Sequence, residues 1–550
     1  MKKFTLLFIT VLAAFFCSLN NTYGQNLEKQ FNDVLSNQDF ENSPGFAILV
    51  AKNDQIIYRK AFGYANLELD VKLQPEHIFR IGSITKQFTA CAILKLQEEG
   101  KLSLQDDITK FIKDYPTHGH TITIEQLLTH TSGIKSYTSM EKWDSELHKK
   151  NFTPVELIEF FKKEPLDFAP GEKFLYNNSA YFLLGYIIEI ASGKKYEEYL
   201  HDSFFKPLKL DNTSYDNTDR IVKNRIPGYQ KKDSIYQNAP FLSMTQPYSA
   251  GSLMSNVDDL YKWYSAVMND KVISKENRIK AHTSFKLNNG KPTGYGYGWA
   301  MGNIQGSPMV EHGGGIHGFL TASLYLPNEK VFVAVFSNSD SNPPQNTALK
   351  MAAIAIGKPF KWDEIKMDAG KLAEYEGVYE SDDDGVRTLV VQNDSLMYVF
   401  ETGMKQRLIP CGKDKFYMTD RLTTYVFNRN DAGKINSLTA NSTDFLSAKW
   451  IKTDKPIELK KDIELSEEQL KKYAGKYELM PEFILNITIE NKRIFIQATG
   501  QGKSEIFATE LHKFYSKVVN AQFEFHANEN GNITGLTLFQ NGEHKAKKIE

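Results

Sequence analysis

The C-terminal third of the chain contains an internal repeat, which restricts the fold more strongly than any other feature of the sequence. Residues 372–380 (LAEYEGVYE) recur as residues 470–478 (LKKYAGKYE), an offset of 98 positions (470 − 372). A repeat that keeps its register indicates two copies of one structural unit in tandem. Four further anchors keep the same offset without a gap: Phe416-Tyr417 with Phe514-Tyr515, Phe427 with Phe525, Gly433 with Gly531, and Leu438 with Leu536.

Each copy consists of short β-like runs with many charges and with turns that contain asparagine and glycine. Many short strands in a unit of this size are typical of a small antiparallel barrel or sandwich. We therefore predict two barrel-like all-β domains, at residues 367–455 and 465–550, joined by a lysine-rich linker near residues 453–464.

The N-terminus has the composition of a secretory signal. Residues 1–3 are basic, residues 4–16 are almost continuously apolar, and Gly24 offers a small residue for cleavage. The apolar run is shorter than the roughly 20 residues that a spanning helix needs, and no later run is long enough. The sequence thus predicts a signal peptide at residues 1–24, a periplasmic or secreted protein, and no membrane span after signal removal.

Charge and cysteine content exclude several classes of partner. The formal charge is −1, and loss of Lys2 and Lys3 with the signal would make it −3. A nearly balanced charge predicts neither nucleic acid nor an acidic membrane surface as a partner. Only Cys91 and Cys411 would remain in the mature chain, far apart in the sequence, so no disulfide framework is expected.

The middle of the chain alternates between strand-like and helix-like patterns, which predicts an α/β domain over residues 25–360. Residues 45–51 and 55–58 form a hairpin signature, and residues 331–336 form another apolar strand. Residues 294–299 (GYGYGW) alternate glycine with aromatic residues, as expected of a strand at a crowded site.

The segment around Ser83 predicts a strand end, a glycine turn and a helix that begins beside the serine and stops at Gly100. The helix is apolar around most of its circumference, so it should be buried. Lys86 follows Ser83 by one helical turn, where its amine could take the proton of the hydroxyl. The alternative is an N-cap serine beside a surface lysine, because the same spacing recurs at Ser132–Lys135, Ser139–Lys142, Ser192–Lys195 and Ser203–Lys206.

Two further motifs distinguish Ser83 from the other four serines. Tyr176 and Asn178 precede a predicted helix, and on their own they are as typical of a packing residue and a helix cap. Residues 312–315 (HGGG) lie between strand patterns, where consecutive glycines let another backbone approach closely. His317 follows them, and either the same cleft or an ordinary polar surface position suits it.

In this chain order, Ser-x-x-Lys, Tyr-x-Asn and His-Gly-Gly resemble the motifs of one serine hydrolase family. It contains class C β-lactamases, D-alanyl-D-alanine carboxypeptidases, D-aminopeptidases and related esterases. The resemblance spans most of residues 30–360. It implies an antiparallel sheet flanked by helices, with a helical subdomain. The tandem β units resemble the lipocalin-like accessory domains that follow such catalytic domains.

The resemblance also implies a role for each matched residue. Ser83 would form an acyl-enzyme, and Lys86 and Tyr176 would share proton transfer, with the identity of the base left open. Asn178 would bind the substrate amide or orient Lys86. His312, Gly314 and Gly315 would contact substrate, with the N–H groups of Ser83 and Gly315 as the oxyanion hole.

One residue departs from the family pattern, since class C β-lactamases have a lysine where this chain has His312. Histidine carries only a partial charge near neutral pH, which weakens the prediction of a β-lactamase. The predicted function is therefore hydrolysis of an amide or ester in a D-amino-acid-containing peptide or a small ester, including cell-wall-derived substrates. The alternatives are β-lactamase or penicillin-binding activity, and a non-catalytic ligand-binding protein.

Other catalytic classes lack their signatures. The sequence has no Gly-x-Ser-x-Gly elbow and no His-Glu-x-x-His motif, and His118 and His120 lie in a polar loop that favours solvation over metal binding. We therefore expect no cofactor and no metal. The oligomeric state does not follow from the sequence.

Overall fold

The computed structural model describes residues 26–550 except 233, 383–384, 401, 419–421, 444–446, 482 and 541. The signal peptide predicted at residues 1–24 lies outside the described residues. The chain divides into two compact units, the first up to Phe360 and the second containing nearly all residues from Lys361 to Glu550. Cys91 and Cys411 are both free. Within the described residues, none of the helices combines the length and the hydropathy that a bilayer crossing requires.

The first unit contains a six-stranded antiparallel sheet, as the resemblance implied. At its centre, Phe46–Lys52 pairs with Val331–Ser337 along its whole length, and every residue of Val331–Ser337 is buried. Apolar runs of this kind belong to strands that are covered on both faces. The strand order across this sheet is Ala300–Ile304, Ser307–Ile316, Phe319–Leu326, Val331–Ser337, Phe46–Lys52 and Gln55–Phe62.

The helix after Ser83 is the buried centre of the first unit. A 3₁₀ turn at Gly82–Ile84 leads directly into the α-helix Thr85–Glu98, whose residues from Thr85 to Leu94 are all buried. Phe88 stacks on Trp263 with ring centroids 3.9 Å apart. The predicted stop at Gly100 is confirmed by a left-handed φ of +71°.

Further helices and three small sheets complete the first unit. Helices Val257–Met268 and Gln345–Ala355 pack on the two central strands. The other α-helices include Ile124–Leu128, Pro154–Phe161, Asn178–Ser192, Tyr196–Leu200, Lys206–Leu208 and Lys275–Ala281. The small sheets are Tyr64–Asn66 with Val71–Lys72, Tyr229–Lys232 with Ile235–Asn238, and Phe79–Arg80, Leu253–Ser255 and Ser214–Tyr215 in antiparallel pairs.

The strand predicted at residues 294–299 is wrong. This segment is a loop, because Gly294 and Gly298 have φ values of +74° and +83°, which interrupt an extended chain. The crowding that the glycines indicated is real. A Cβ on Gly298 would lie 2.8 Å from the carbonyl oxygen of Lys86, and one on Gly296 would lie 2.1 Å from that of Ala281.

The second unit contains two closed eight-stranded antiparallel barrels, which confirms the repeat. The first seven strands of barrel 2 begin 98 residues after those of barrel 1, to within one residue. Barrel 1 follows helix Ala369–Leu372 and consists of Gly377–Ser381, Gly385–Gln392, Ser395–Val399, Lys405–Gly412, Lys415–Tyr417, Thr424–Arg429, Ile435–Asn441 and Ala448–Thr453. Barrel 2 follows helix Glu467–Lys471 and consists of Gly475–Met480, Phe483–Glu490, Arg493–Ala498, Ser504–Glu510, Lys513–Ser516, Gln522–Ala527, Ile533–Phe539 and Glu543–Lys548.

Matched aromatic residues fill the two barrel cores. In barrel 1 the Tyr379 hydroxyl donates to the carbonyl oxygen of Tyr375 at 2.8 Å, and in barrel 2 Tyr477 donates to Tyr473 at 2.7 Å. The anchors Phe416 and Phe427 of barrel 1 are buried like their counterparts in barrel 2. The apolar anchors Phe416, Phe427 and Leu438 are therefore core residues, whereas Gly433 lies in an exposed turn with a φ of +76°.

Candidate active site

Ser83 is held at the start of the central helix by a close approach of two backbones. Gly82 has a φ of +51°, and a Cβ there would lie 3.0 Å from the backbone nitrogen of Gly315. Ser83 makes no side-chain capping bond to the helix, so the N-cap alternative does not describe it. Its half-buried side chain lines a cavity.

Lys86 lies under Ser83 and is fully buried. Its Nζ is 3.1 Å from Ser83 Oγ, 3.0 Å from Asn178 Oδ1 and 2.8 Å from the carbonyl oxygen of Ala250. Burial lowers the pKa of this amine well below its ordinary value, and no carboxylate among the described residues pairs with it. A neutral amine donates to the two carbonyl-type oxygens and keeps its lone pair for the serine hydroxyl.

Tyr176 faces the same pair of side chains. Its ring lies 4.7 Å from Lys86 Nζ, and its hydroxyl interacts with Ser83. The residue is 38% exposed, but its hydroxyl group is densely surrounded by protein atoms. This burial raises the pKa of the phenol above its ordinary value, and the hydrogen bond with Ser83 opposes part of the rise. The phenol is therefore protonated over the physiological pH range.

Asn178 is fixed by the helix that it begins. Its Oδ1 accepts from Lys86, and its Nδ2 donates to Thr138 Oγ1 at 3.1 Å. The helix cap is its neighbour Asn177, whose side chain accepts the N–H of Ala180 at 2.9 Å. Capping by Asn177 leaves the Asn178 amide free to orient Lys86.

His312 is buried behind the cavity, where its ring contacts other protein groups. Its Nδ1 is 2.6 Å from the carbonyl oxygen of Gly313, which fixes the hydrogen on Nδ1. Its Nε2 then accepts from the Tyr295 hydroxyl at 2.9 Å. Burial lowers the pKa of His312 from 6.5 to about 3, so the ring is neutral at physiological pH.

The glycines after His312 divide into two groups. Gly314 packs on the backbone before Ser83, since a Cβ there would lie 2.0 Å from the carbonyl oxygen of Ile81. Gly315 reaches the cavity. Of the four predicted substrate-binding residues, Asn178 and Gly315 line the cavity, whereas His312 and Gly314 lie behind its wall.

The cavity beside Ser83 has a volume of about 260 Å³. Its walls are largely aromatic and apolar, and two histidines stand at its edge with ring centroids 5.2 Å apart. One of them is His317. From the sequence, a position in the cleft and an ordinary surface position were equally suitable for this residue. The lining residues besides Ser83, Asn178 and Gly315 are Tyr137, Thr138, Trp143, His148, Leu242, Gln246, Pro247, Ala250, Gly251, Ile316 and His317.

Sequence reasoning missed His130, which holds the Tyr176 segment at two points. The backbone N–H of Asn177 donates to His130 Nδ1 at 3.0 Å, and that of Leu175 donates to the His130 carbonyl oxygen at 3.0 Å. The ring also packs 4.4 Å from the ring of Tyr176. The only sequence signal was a histidine inside a polar turn, and its partners lie more than 40 positions away.

No cluster of three or more His, Cys, Asp or Glu side chains that could hold a metal occurs in the described part of the chain. The site therefore consists of a serine, a buried amine whose pKa is lowered, a protonated phenol and backbone N–H groups near a helix start. Such a group of residues can activate a serine and stabilise an oxyanion.

This fold and this site define a serine hydrolase of the β-lactamase type. The profile of the Beta-lactamase family matches residues 27–358. The chain therefore belongs to the Beta-lactamase family of serine hydrolases. A domain of unknown function, DUF3471, matches residues 459–550, which contain barrel 2.

Individual relatives agree with this assignment. A penicillin-binding protein of Bacillus subtilis is 27% identical over 421 residues, which are 72% of this chain and 92% of the relative. The octameric penicillin-binding protein homologue from Pyrococcus abyssi is 29% identical with a TM-score of 0.55, covering 78% of this chain and 99% of that one. A D-stereospecific amidohydrolase from Streptomyces sp. is 25% identical with a TM-score of 0.53, covering 59% of this chain and 98% of that one.

Proposed function

We propose that the protein is an exported serine hydrolase that forms an acyl-enzyme on Ser83 and cleaves an amide or ester bond. The candidate substrates are D-amino-acid-containing peptides, D-amino acid amides and small esters. The observation that carries the proposal is the buried Lys86 amine, 3.1 Å from Ser83 Oγ and without a carboxylate partner among the described residues.

The two shifted pKa values suggest a division of labour. Lys86 is neutral because burial lowers its pKa, so it takes the proton when Ser83 Oγ attacks the substrate carbonyl. Tyr176 is protonated because burial raises its pKa, so it donates a proton to the departing amine or alcohol and recovers one through Lys86. A water molecule then attacks the acyl-Ser83 ester by the reverse route and releases the acid.

The oxyanion of each tetrahedral intermediate would be held by the N–H groups of Ser83 and Gly315. The first N–H groups of a helix have no acceptor within the helix, so that of Ser83 is free for a ligand. The close approach of Gly82 to Gly315 supports this pairing, because a Cβ on Gly82 would lie 3.0 Å from the Gly315 nitrogen. Loss of one donor of this kind typically costs about 10²–10³ in turnover.

The neutral state of His312 supports an amidase, peptidase or esterase over a β-lactamase. An uncharged ring whose nitrogens contact Gly313 and Tyr295 offers no cation for a substrate carboxylate. The relatives named above, one of them a D-stereospecific amidohydrolase, support a D-amino-acid substrate. Export to the periplasm or medium rests on the predicted signal peptide.

A serine-directed phosphonate probe tests the proposal against a non-catalytic binding protein. We expect the wild type to be labelled and Ser83→Ala not to be. The matched control is Ser192→Ala. Ser192, like Ser83, is followed by a lysine three residues later, and we expect this variant to be labelled normally. Absence of labelling in the wild type, by phosphonate, ester and β-lactam probes alike, would contradict the enzyme.

Hydrolysis of a substrate panel then separates the activities. The panel contains D-amino acid amides, D-Ala-D-Ala peptides, short acyl esters and nitrocefin. We expect turnover of at least one of the first three, with nitrocefin slowest. Fastest turnover of nitrocefin would instead favour β-lactamase activity.

A further inference from the structure

A second cavity lies beside the catalytic one and shares His317 with it. Its volume is about 370 Å³. Its lining includes the polar side chains of Arg80, Arg225, Thr218 and Asn238, and none of its lining residues is acidic. The site proposed above makes no use of this cavity.

The two arginines that line the second cavity pair with a single carboxylate. Asp216, which is buried, accepts from Arg80 Nε at 2.7 Å and from Arg225 Nη1 at 3.0 Å. Two guanidinium groups thus share one carboxylate. Because arginine stays protonated at any physiological pH, the cluster keeps one net positive charge.

The two arginines differ in how many of their guanidinium N–H groups have a hydrogen-bond acceptor. Arg225 also donates to the backbone carbonyl oxygens of Asn217 and Arg220, which gives it a structural role. Arg80 donates only through Nε, and its two Nη atoms have no hydrogen-bond partner within the described residues. Its side chain is 19% exposed. A rigid fork of free N–H groups in a cavity matches the geometry of a carboxylate.

The position of Arg80 relates the cavity to the reaction. It stands three residues before Ser83, so the two backbone positions are at most about 10 Å apart. An extended peptide advances about 3.3 Å per residue. A peptide with its scissile carbonyl at Ser83 therefore reaches this cavity within a few residues.

We propose that the cavity at Arg80 binds a carboxylate of the substrate, a few residues from the scissile bond. This inference rests on the proposed function and adds a preference for acidic peptides over their neutral counterparts. The carboxylate is either an acidic side chain or the C-terminus of the peptide. Arg80 holds it through both Nη atoms, and Asp216 keeps Arg80 in place from behind.

Binding measurements test the inference without relying on turnover. The host is the full chain with Ser83→Ala, so that bound peptide is not consumed. Calorimetry compares two peptide pairs: acetyl-D-Ala-D-Ala-Gly-Asp-amide with its Asn analogue, and acetyl-D-Ala-D-Ala-Gly-Gly with its C-terminal amide. The pair with the larger acid preference identifies the source of the carboxylate. We expect at least one acidic peptide to bind about tenfold or more tightly than its partner.

Thr218 offers matched variants that leave the Arg80–Asp216 pair intact. Thr218 is exposed and lines the cavity, so Thr218→Glu adds a negative charge there, whereas Thr218→Gln has nearly the same size without the charge. We expect Thr218→Glu to weaken the acidic peptide at least about fivefold relative to Thr218→Gln, with the neutral peptide unchanged. Arg80→Lys should also reduce the acid preference, since it keeps the charge but loses the fork.

The outcomes separate the inference from the proposed function. Equal binding of acidic and neutral peptides, or an acid preference that Thr218→Glu leaves unchanged, would overturn the carboxylate site. Failure of the Ser83→Ala chain to bind any of the four peptides would overturn it too. Loss of the proposed function would show differently, as a wild-type chain that neither labels at Ser83 nor hydrolyses any substrate.

Discussion

The catalytic unit and the two barrels bury different kinds of polar group. Among the described residues, the buried amines, imidazoles and carboxylates belong to the first unit and include Lys86, His130, Asp216, Asp259 and His312. Apart from tyrosines, the buried polar residues of the barrels are hydroxyls, namely Thr424, Ser437, Ser516 and Thr537. A buried ionisable group is costly unless it is paired or neutral. The catalytic unit therefore gives up stability for reactivity, and the barrels do not.

The difference is sharpest at Lys86. The unfolded chain protonates this amine up to about pH 10, whereas burial in a site without a carboxylate lowers its pKa well below that value in the folded protein. Between the lowered folded pKa and the ordinary one, the unfolded state binds one more proton, so stability rises with pH. Below the folded pKa the penalty is present in full. The barrels contain no comparable group among their described residues.

The largest predicted effect follows from removing that amine. Lys86→Met should lower kcat/KM by at least about 10³-fold, because the serine loses its base, while thermal stability at neutral pH stays equal or rises. The control is Lys135→Met, which removes a lysine of the same spacing that pairs on the surface with Asp167 at 2.8 Å. Kinetics and calorimetry on both variants check this. A Lys86→Met protein with full activity would contradict the role of Lys86 as the base for Ser83.

Acidification should destabilise the catalytic unit more than the two barrels. The folded pKa of His312 is about 3 against 6.5 for a free ring, so stability falls as the pH falls from about 6.5 to about 3, by up to about 5 kcal/mol from this group. His130 shifts in the same direction through burial. Hydrogen exchange at decreasing pH should show the catalytic unit opening first. His312→Gln should flatten this pH dependence, and an unchanged curve would contradict the neutral ring.

A smaller effect is expected at His130, which acts through the Tyr176 segment. His130→Leu removes the acceptor for the Asn177 N–H and should lower kcat about 10–100-fold with little change in KM. His130→Asn supplies a short acceptor at a similar position and should recover part of the loss. Equal defects in both variants, with matching losses of stability, would point to a packing role alone.

The smallest effect on activity is expected in barrel 1. Asp414 accepts from the Tyr375 hydroxyl and from Arg429, and these bonds lower its pKa. Asp414→Ala should cost about 1–3 kcal/mol of barrel stability and leave phosphonate labelling of Ser83 unchanged. Two-transition calorimetry with a labelling assay checks both parts. A change in the labelling rate would show that this polar contact of barrel 1 influences the reactivity of Ser83, contrary to the prediction.

Much of the fold was predictable from local patterns. The repeat predicted the two domains of the second unit, and seven strands of the second barrel keep the 98-residue spacing. The helix after Ser83 was predicted from its apolar residues and from Gly100 at its end. The loop at residues 294–299 was predicted wrongly as a strand. Alternation indicated close packing correctly, but the sequence does not show that Gly294 and Gly298 have positive φ.

The structure brings together Ser83, Lys86, Tyr176 and Asn178, as the sequence predicted, but the electrostatics of the site did not follow from the sequence. The neutral state of His312 follows from its burial, and one of the groups that cover its ring is the Tyr295 hydroxyl from the loop at residues 294–299. The clamp by His130 joins positions 47 residues apart, and the Arg80–Asp216 pair joins positions 136 apart. Contacts of this kind leave no pattern in a single sequence, because they arise only when distant segments pack together.

The matched cores of the barrels have a consequence for how the chain folds. Tandem copies with the same strand register are prone to exchange strands while they form. The 98-residue offset places His512 where barrel 1 has Asp414, and Ala527 where it has Arg429. A strand of barrel 1 inserted into barrel 2 would bring a carboxylate or a guanidinium without its partner. These unlike polar contacts therefore label each copy and favour pairing of every strand within its own barrel.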